Sequence, residues 1–375
     1  MRIGLDGYPL SEPRTGVGHY TLELSRALAE ANPEDHFELI SPAPFERRLP
    51  AENTIPNLAF VQAKSSSLRG HWWSVGLPLY AKRAALDLFH GTNFELPLRR
   101  RRRTVLTIHD LSALRFPELH RPRLVRRARL RLPLAAKLAN AIITPTEAVK
   151  EEVCERFRFS PEKVTAIHEA PRAAFQPMPH QESAEVRKRL GVSNEFLLFV
   201  GTLEPRKNLL TLLKAFGEVL RHTSLRPQLV VAGGEGWLME ETFAFLKGSV
   251  INEHLRLTGY LEDKDLHALY ASCRAFIFPS LYEGFGLPPL EAMACGAPVV
   301  ASRIPALQEV LGDAASLIEP LDVDGLAKAM VEIWQDDGRR GKVSLAGLNQ
   351  VKKFSWSKTA QKTYEVYRRV LAGDR

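Results

Sequence analysis

Short apolar runs alternate with longer amphipathic runs along almost the whole chain. Apolar-rich runs of three to five residues, which are typical of buried strands, occupy residues 3–5, 37–40, 58–61, 86–90, 105–108, 141–144, 164–167, 196–200, 229–232, 255–257, 275–278 and 298–301. Several of the segments between these apolar runs show the hydrophobic period of an α-helix, namely residues 19–31, 124–139, 147–157, 209–220 and 357–371. Strands that alternate with helices predict an α/β fold, in which helices cover both faces of parallel sheets.

One segment breaks this alternation near the middle of the chain. Residues 171–179 hold three prolines and show no period, which is typical of a linker. We therefore predict two Rossmann-like, doubly wound domains, residues 1–172 and 184–356, joined by a linker at 173–183. The last helix, within 357–375, either packs on the first domain or caps the second. Because ligands bind at the carboxyl ends of strands in such sheets, we expect the two sets of strand ends to face a common cleft.

The composition is that of a globular protein. Of 375 residues, 45% are hydrophobic and 25% are charged, and no stretch approaches the roughly 20 apolar residues that span a bilayer. The three cysteines, Cys154, Cys273 and Cys295, fit neither a disulfide framework nor zinc-ligand spacing. Because the N-terminus enters an apolar strand directly, without the pattern of a signal peptide, we expect a cytoplasmic protein.

The formal net charge of +8 is concentrated in one region. Residues 99–131 contain twelve arginines against two acidic residues, a local net of +10, which leaves −2 for the rest of the chain. Five of these arginines are consecutive at 99–103, and Arg123, Arg126 and Arg127 lie on a predicted basic amphipathic helix. Such segments bind anionic lipid or polyphosphate. Nucleic acid is a rival partner, but no nucleic-acid motif or aromatic platform accompanies the arginines, and an ordinary solvated face is the third interpretation.

The most informative motif follows the predicted strand at 275–278. It begins PSLYEGFGLPPLEAM at residue 279 and sets Glu283 and Glu291 eight positions apart. Pro288 and Pro289 suit the first turn of a helix. We therefore expect Glu283 on the strand-to-helix loop and Glu291 about one turn into the helix.

This loop combines two kinds of binding group. Gly284 and Gly286 let the backbone approach a ligand, and the N–H groups that open a helix favour an anion. Carboxylates held in fixed directions suit sugar hydroxyls. A loop that offers N–H donors to phosphate and carboxylate acceptors to sugar hydroxyls indicates a sugar-nucleotide site. The plainer interpretation is a strand–loop–helix with two incidental surface acids.

The motif resembles the E-x7-E signature of retaining glycosyltransferases of family four (group 1), which have the two-domain GT-B fold. The resemblance covers nearly the whole chain and is strongest over residues 199–302. It implies a metal-independent hexosyltransferase that uses a nucleotide-sugar donor and needs no cofactor. It also implies that the N-terminal domain selects the acceptor and that the last helix crosses back onto that domain. Asp263 and Asp265 form a D-K-D string, but they open a predicted helix and are interpreted as N-cap residues.

Two cations are expected to bind the donor diphosphate. Arg206 and Lys207 follow the strand at 196–200 and precede the helix at 209–220. A cation at a helix N-terminus is mildly destabilising. This cost favours the interpretation that the two side chains bind a ligand over the interpretation that they lie in a solvated turn. They would neutralise the charge that develops on the leaving nucleoside diphosphate. The position matches the R-K pair of the family, which often has glycine where Asn208 stands and arginine where Thr202 stands.

The resemblance also implies roles for residues of the N-terminal half. The glycine loop with Gly16 and Gly18 is expected to close over the donor, with a plain turn as the alternative. His109 is expected near the donor sugar, where it binds the sugar or stabilises developing positive charge. Asp110 is expected to orient His109 or to accept the proton of the acceptor. With Glu283, these two residues form the candidate catalytic set.

In the C-terminal half, Gly233 and Tyr260 match the surfaces that contact the nucleotide base and ribose. The backbone of Phe285, Gly286 and Leu287 is expected to meet the sugar or the distal phosphate. Glu291 is expected to hold ribose hydroxyls, and Glu283 to contact the donor-sugar hydroxyls or the reactive face. Glu283 is not assigned as a nucleophile, because the family has no agreed one and same-face attack is the usual proposal.

The strings GTLEPRKN and YEGFGLPPLE most resemble mannosyltransferases of bacterial O-antigen and exopolysaccharide assembly. GDP-mannose is the first donor expected, with a UDP- or TDP-sugar next. The acceptor is expected to be a glycan or a polyprenyl-diphosphate-linked oligosaccharide, and the basic segment to bind the inner face of the cytoplasmic membrane. Two other classes stay open: a non-catalytic basic two-domain binding protein, and a nicotinamide-dependent oxidoreductase, which would need G-x-G-x-x-G after its first strand.

Overall fold

The structure is a computed structural model that describes residues 1–11, 15–46, 55–63, 71–97 and 103–373. It divides into two compact units. The first unit comprises Met1–Arg115, Pro122–Glu169 and Ser355–Arg375, and the second comprises Phe116–Arg121 and Ala170–Phe354. Each unit has its own parallel sheet with helices packed against it, so the predicted α/β fold is confirmed.

The unit boundaries differ from the predicted domain boundaries. The predicted linker, 173–183, belongs to the second unit, because Phe175 is buried in the core of that unit. Residues 116–121, predicted within the first domain, also belong to the second unit. There, Trp237 Nε1 donates to the Leu119 carbonyl oxygen at 2.9 Å, and the Phe116 and Tyr282 rings lie 5.5 Å apart.

In the part of the chain that the structure describes, the first unit holds a seven-stranded parallel sheet in the order β3-β2-β1-β4-β5-β6-β7. Its strands are β1 (Arg2–Asp6), β2 (His36–Ser41), β3 (Leu58–Gln62), β4 (Leu88–Gly91), β5 (Arg103–Thr107), β6 (Ala141–Thr144) and β7 (Val164–Ala166). Neighbouring strand residues enter opposite cores: Leu88 packs with one buried cluster and Phe89 with the other. Burial on both faces explains why these strands appear in the sequence as continuous apolar runs.

The second unit holds, among the described residues, a six-stranded parallel sheet in the order β10-β9-β8-β11-β12-β13. Its strands are β8 (Phe196–Val200), β9 (Gln228–Ala232), β10 (Leu255–Gly259), β11 (Ala275–Phe278), β12 (Val299–Ser302) and β13 (Ser316–Ile318). The twelve predicted strands agree with the observed ones to within two residues at each end. Strand β13 was not predicted, because it is a half-buried edge strand of three residues.

The helices of the described residues extend beyond the five periodic segments, each of which matches one helix to within three residues at each end. They are α1 (Gly16–Ala31), α2 (Leu77–Arg83), α3 (Ser112–Arg115), α4 (Pro122–Leu138), α5 (Glu147–Phe157), α6 (His180–Leu190), α7 (Leu209–His222), α8 (Glu240–Leu246), α9 (Asp263–Ser272), α10 (Leu287–Ala294), α11 (Pro305–Leu311), α12 (Val323–Gln335), α13 (Asp337–Val351) and α14 (Trp356–Ala372). The structure places α14 in the first unit, where it packs against α1. Of the two placements left open for the last helix, crossing back to the first domain is therefore confirmed.

Two local predictions about helix starts are wrong. The glycine loop predicted around Gly16 and Gly18 is the first turn of α1, with Thr15 as an N-cap residue of extended backbone. Glycine disfavours helix by about 1 kcal/mol, but Gly18 is buried and the His19 N–H already donates to the Thr15 carbonyl at 3.0 Å. The N-cap of α9 is Glu262, and Asp263 and Asp265 lie in the first turn.

Candidate functional site

The E-x7-E motif adopts the predicted strand–loop–helix arrangement. Strand β11 is fully buried, and α10 begins at Leu287 with prolines in its first positions. Gly286 has φ = 98°, and a Cβ there would lie 2.5 Å from Leu307 Cδ2. Both facts require glycine at the point where the loop becomes helix. Glu283 therefore lies on the loop and Glu291 one turn into α10.

Glu283 is held by the two cations predicted to bind the diphosphate. Lys207 Nζ donates to Glu283 Oε1 at 2.7 Å, and Arg206 Nη1 lies 3.0 Å from Glu283 Oε2. Arg206 also donates to the Tyr282 carbonyl oxygen at 2.9 Å and to Glu204 Oε1 at 2.5 Å. The structure thus brings Glu204, Glu283, Arg206 and Lys207 together in one cluster of two acidic and two basic side chains.

The charges of this cluster determine its ionisation. Burial by itself raises the pKa of Glu283, but the charges of Arg206 and Lys207 outweigh it and lower that pKa from 4.5 to about 2. Burial lowers the pKa of Lys207, and Glu283 opposes that effect. Glu283 is therefore an anion throughout the neutral range, and the carboxylate keeps both cations fixed.

The turn before α7 explains how the cations reach Glu283. Pro205–Lys207 form a short 3-10 turn after β8, and Asn208 then takes the left-handed conformation with φ = 57°. Asparagine tolerates this conformation better than most residues. Its side-chain amide donates to the carbonyl oxygens of Pro279 at 2.9 Å and Pro320 at 2.6 Å. The glycine common at this position in the resembling family is explained by the same backbone angle.

Glu291 is bound by an arginine that sequence reasoning missed. Arg172 donates from Nε to Glu291 Oε1 at 2.8 Å and from Nη2 to Oε2 at 3.2 Å. Its Nη1 donates to Asp263 Oδ1 at 2.6 Å. Arg172 lies in the aperiodic segment 171–179, one residue before the predicted linker, and belongs to no motif, so nothing in the sequence identified it.

The predicted donor residues of the second unit follow four adjacent strands. Arg206 follows β8, Gly233 follows β9, Tyr260 follows β10 and Glu283 follows β11. Because carboxyl ends of parallel strands share one edge, these residues lie along a single edge of the sheet. Tyr260 is half exposed.

Backbone contacts hold these loops together. Leu203 N donates to the Gly234 carbonyl at 3.0 Å, and Gly233 N donates to the Gly259 carbonyl at 2.9 Å. A Cβ on Gly233 would lie 1.9 Å from the Gly201 carbonyl oxygen, and one on Gly236 would lie 2.2 Å from the Leu203 carbonyl oxygen. These two glycines are therefore required by close backbone approach.

In the first unit, His109 follows β5 and is buried. Its Nε2 donates to the Thr92 carbonyl oxygen at 2.8 Å, and its Nδ1 lies 3.2 Å from Glu169 Oε1. The Tyr20 ring packs edge-on against the imidazole with centroids 4.7 Å apart. The ring of His109 is therefore fixed on three sides.

The prediction that Asp110 orients His109 is wrong, because its carboxylate is turned to its own loop. Asp110 Oδ1 accepts from the backbone N–H of Ser112 at 2.8 Å and from the Ser112 hydroxyl at 2.7 Å, which is an Asx turn before α3. Glu169 is the carboxylate at the imidazole. It lies 60 residues away in sequence, so no local pattern pointed to it.

Asp6, at the end of β1, is a further buried acid that the sequence did not single out. It accepts a hydrogen bond from Tyr8 N at 3.0 Å. Burial raises the pKa of Asp6 from 3.8 to about 7, with the Tyr8 bond opposing and the charge of Glu95 adding to the rise. The first predicted donor loop, with Gly16 and Gly18, follows this strand as the start of α1.

The basic segment is partly described. Residues 99–102 of the arginine run lie outside the described residues. Helix α4 turns Val125, Leu132, Ala135 and Ala136 to the core, while Arg123, Arg126 and Arg127 are exposed. Arg127 is also bonded to Glu95 at 2.6 Å. Three leucines of α4 are also exposed, Leu124 (44%), Leu130 (73%) and Leu134 (43%).

The described residues show neither a candidate metal site nor a membrane-spanning helix. They contain no group of three or more His, Cys, Asp or Glu side chains that could hold a metal ion. In the same residues, no helix has the length and apolarity needed to cross a membrane.

Comparison with known proteins gives matches over both halves of the chain. A family model described as "Glycosyltransferase Family 4" matches residues 14–170, and one described as "Glycosyl transferases group 1" matches residues 181–349. The O-antigen chain mannosyltransferase B of Escherichia coli is 32% identical over 385 residues, which cover 98% of this chain and 100% of that protein. The serotype-specific mannosyltransferase WbdA of Escherichia coli is 32% identical over 72% of this chain, but over only 34% of its own length.

Among solved structures, sucrose-phosphate synthase from Thermosynechococcus elongatus has the same fold. The TM-score is 0.79 with 21% identity, and the match covers 100% of both chains. At this identity the likeness establishes the fold alone.

Proposed function

The chain belongs to the group 1 glycosyltransferases with a family 4 N-terminal domain, and we propose that it transfers mannose from GDP-mannose during surface-polysaccharide assembly. The observation that carries this proposal is the full-length similarity to an O-antigen chain mannosyltransferase. The intact Glu283–Lys207–Arg206 cluster beside the helix of Glu291 supports activity over the alternative of a binding protein with a degenerate site.

We assign the donor diphosphate to Arg206, Lys207 and the N-terminus of α10. Glu283 holds both cations in place, so they need no reorganisation when charge develops on the leaving group. The backbone N–H groups of Phe285, Gly286 and Leu287, in the loop and at the first residue of α10, lie at the positive end of the helix dipole. Glu291 takes the ribose hydroxyls, and Gly233 and Tyr260 face the nucleoside.

The ion pairs of Glu283 support a retaining reaction in which this carboxylate is not the nucleophile. A nucleophile needs an oxygen directed at the anomeric carbon, whereas each oxygen of Glu283 faces a cation. Same-face attack, assisted by the leaving phosphate, fits this arrangement. In the first unit, His109 is the group proposed to contact the donor sugar, and no metal or cofactor is assigned a step.

The acceptor is proposed to be a polyprenyl-diphosphate-linked oligosaccharide or another glycan at the inner face of the cytoplasmic membrane. The exposed face of α4 supports this proposal, because Leu130 and Leu134 lie among Arg123 and Arg126. Arginines attract anionic headgroups, and exposed leucines can enter the boundary between headgroups and acyl chains.

Flotation with vesicles tests the membrane proposal. The wild-type protein is expected to float with vesicles that contain phosphatidylglycerol and not with vesicles of phosphatidylcholine alone. The double variant with Leu130→Ser and Leu134→Ser is expected to float less. Leu345→Ser is the control, because Leu345 is also an exposed leucine (61%) and lies on α13 of the second unit. Flotation that does not depend on anionic lipid would reject the proposal.

The donor is tested by thermal shift and hydrolysis with GDP, UDP and TDP and their sugars, in the presence of EDTA. Stabilisation and turnover with GDP and GDP-mannose, lost in Glu291→Ala, are the expected result. A response to UDP or TDP instead would keep the transferase and change its donor. Absence of any response would favour the non-catalytic binding protein.

A further inference from the structure

Arg172 is a buried arginine with three separate constraints on its guanidinium. It is 7% exposed and lies three residues after Glu169, the last residue of the first unit before the chain enters the second. Its guanidinium binds Glu291 through two N–H groups and Asp263 through a third. The same group lies over the Phe175 ring, 4.3 Å from the centroid.

We propose that Arg172 is a positioning residue for the ribose of the donor and acts through Glu291. The inference rests on the proposed role of Glu291 in holding ribose hydroxyls. It adds a residue that belongs to no motif of the chain.

The geometry of the pair is the first support. Arg172 meets both oxygens of Glu291 with Nε and Nη2, at 2.8 and 3.2 Å. Such a two-point contact fixes the plane of the carboxylate as well as its position. Ribose presents two hydroxyls at a fixed spacing, so the direction of the acceptor oxygens decides whether both can donate. An ionised carboxylate has about four acceptor positions, so an arginine partner is compatible with hydroxyl donors.

Burial of the pair is the second support. Glu291 is 4% exposed, and two titratable groups near it, Tyr270 on α9 and Cys295 at the end of α10, carry no positive charge. An isolated carboxylate in such a place favours its protonated form. A protonated carboxyl donates one hydrogen bond and loses acceptor capacity. The charge of Arg172 therefore keeps Glu291 in the form that hydroxyls need.

The guanidinium itself is held from outside the pair. Asp263, in the first turn of α9, and the Phe175 ring fix it independently of Glu291. A lysine could supply the charge at this position but not the planar fork. The proposal therefore predicts a difference between Arg172→Lys and wild type.

The experiment compares the dissociation constants of GDP and 2′,3′-dideoxy-GDP, measured by calorimetry. If UDP is the nucleotide that binds, the matching UDP pair is used. Wild type is expected to prefer the nucleotide with both hydroxyls by about 10- to 100-fold, since hydrogen bonds to a charged group are lost in the analogue. Glu291→Gln and Arg172→Gln are each expected to reduce this ratio to within a few-fold of unity, and Arg172→Lys to an intermediate value.

Arg189→Gln is the matched control, because Arg189 also bonds an acidic residue of α9, Asp265, but is exposed. In Arg189→Gln the ratio of the two dissociation constants is expected to equal that of the wild-type protein. If Arg172→Gln weakens both nucleotides equally and keeps the ratio, Arg172 only supports the fold, and the inference fails. If wild type itself shows no preference, Glu291 does not hold ribose, and the inference fails together with that assignment.

The pH dependence of the ratio is a readout that a purely structural role would not change. Titration of the phosphates affects both nucleotides and cancels in the ratio. In Arg172→Gln the preference for GDP is expected to recover as the pH rises, because the buried carboxyl then ionises without its partner. A flat profile in Arg172→Gln, equal to that of wild type, would contradict the proposal.

Discussion

Glu169 places its carboxylate 3.2 Å from Nδ1 of His109, and both side chains are buried. The Nε2–H of His109 is already committed to the Thr92 carbonyl oxygen at 2.8 Å. The imidazole is therefore fixed at the end of β5 between the Thr92 carbonyl oxygen and the Glu169 carboxylate.

Replacing Glu169 by glutamine is expected to lower kcat about tenfold or more, because a neutral amide holds the imidazole less firmly than a carboxylate does. The KM for the donor is expected to change little. Steady-state transfer assays measure both constants. Glu147→Gln is the control, because Glu147 forms an exposed pair with Lys150 on α5. A kcat equal to that of wild type would show that Glu169 serves only the fold.

Gly233→Ala is expected to destabilise the second unit by about 3 kcal/mol or more and to abolish nucleotide binding, since the new Cβ would lie 1.9 Å from the Gly201 carbonyl oxygen. Thermal unfolding with and without GDP measures both effects. The adjacent Gly234→Ala is the control, because a Cβ there meets nothing within 4 Å. Equal behaviour of the two variants would contradict the close approach of these loops.

Glu283→Gln is expected to lower the free energy of unfolding at pH 7 by about 3–5 kcal/mol, because the buried Lys207 and the partly buried Arg206 lose their shared partner. Denaturant titrations of both proteins measure this difference. Glu319→Gln, which removes an exposed pair with Arg303, is the control and is expected to change stability by less than about 0.5 kcal/mol.

The same variant has a predicted pH dependence. The pKa of Glu283 is lowered from 4.5 to about 2 in the folded chain, so its contribution is present above pH 4.5 and is lost as the pH falls toward 2. The difference in stability between wild type and Glu283→Gln should therefore shrink below pH 4.5, by about 1.4 kcal/mol per unit. A difference that stays constant to pH 3 would contradict the ion pairs.

Tyr367→Phe is expected to destabilise the first unit by about 1–3 kcal/mol, because it leaves a buried ring nitrogen without its partner. Tyr367 OH lies 2.6 Å from His90 Nδ1, and burial lowers the pKa of His90 from 6.5 to about 3, so the ring is neutral. Chemical denaturation measures the loss. Tyr8→Phe, at an exposed tyrosine, is the control, and an equal effect of the two changes would reject a role for this bond in holding α14.

The elements that the sequence predicted well depend on neighbouring residues. Strands such as β8 and β11 are buried on both faces, so each appears as an apolar run that needs no partner to be recognised. The spacing of Glu283 and Glu291 is equally local, because a glycine turn and a proline-started helix place both carboxylates. Local propensity failed at Gly16 and Gly18, where burial of the helix outweighs the poor helix preference of glycine.

The partners of the candidate site residues were decided by tertiary structure. Glu169 is 60 residues from His109, Arg172 is 119 residues from Glu291, and Lys207 is 76 residues from Glu283. The sequence by itself therefore determined the α/β fold and the sheet edge that carries the candidate site residues. Only the folded chain decided which charge compensates each buried acid, because an ion pair depends on distance in space and leaves no period or motif along the chain.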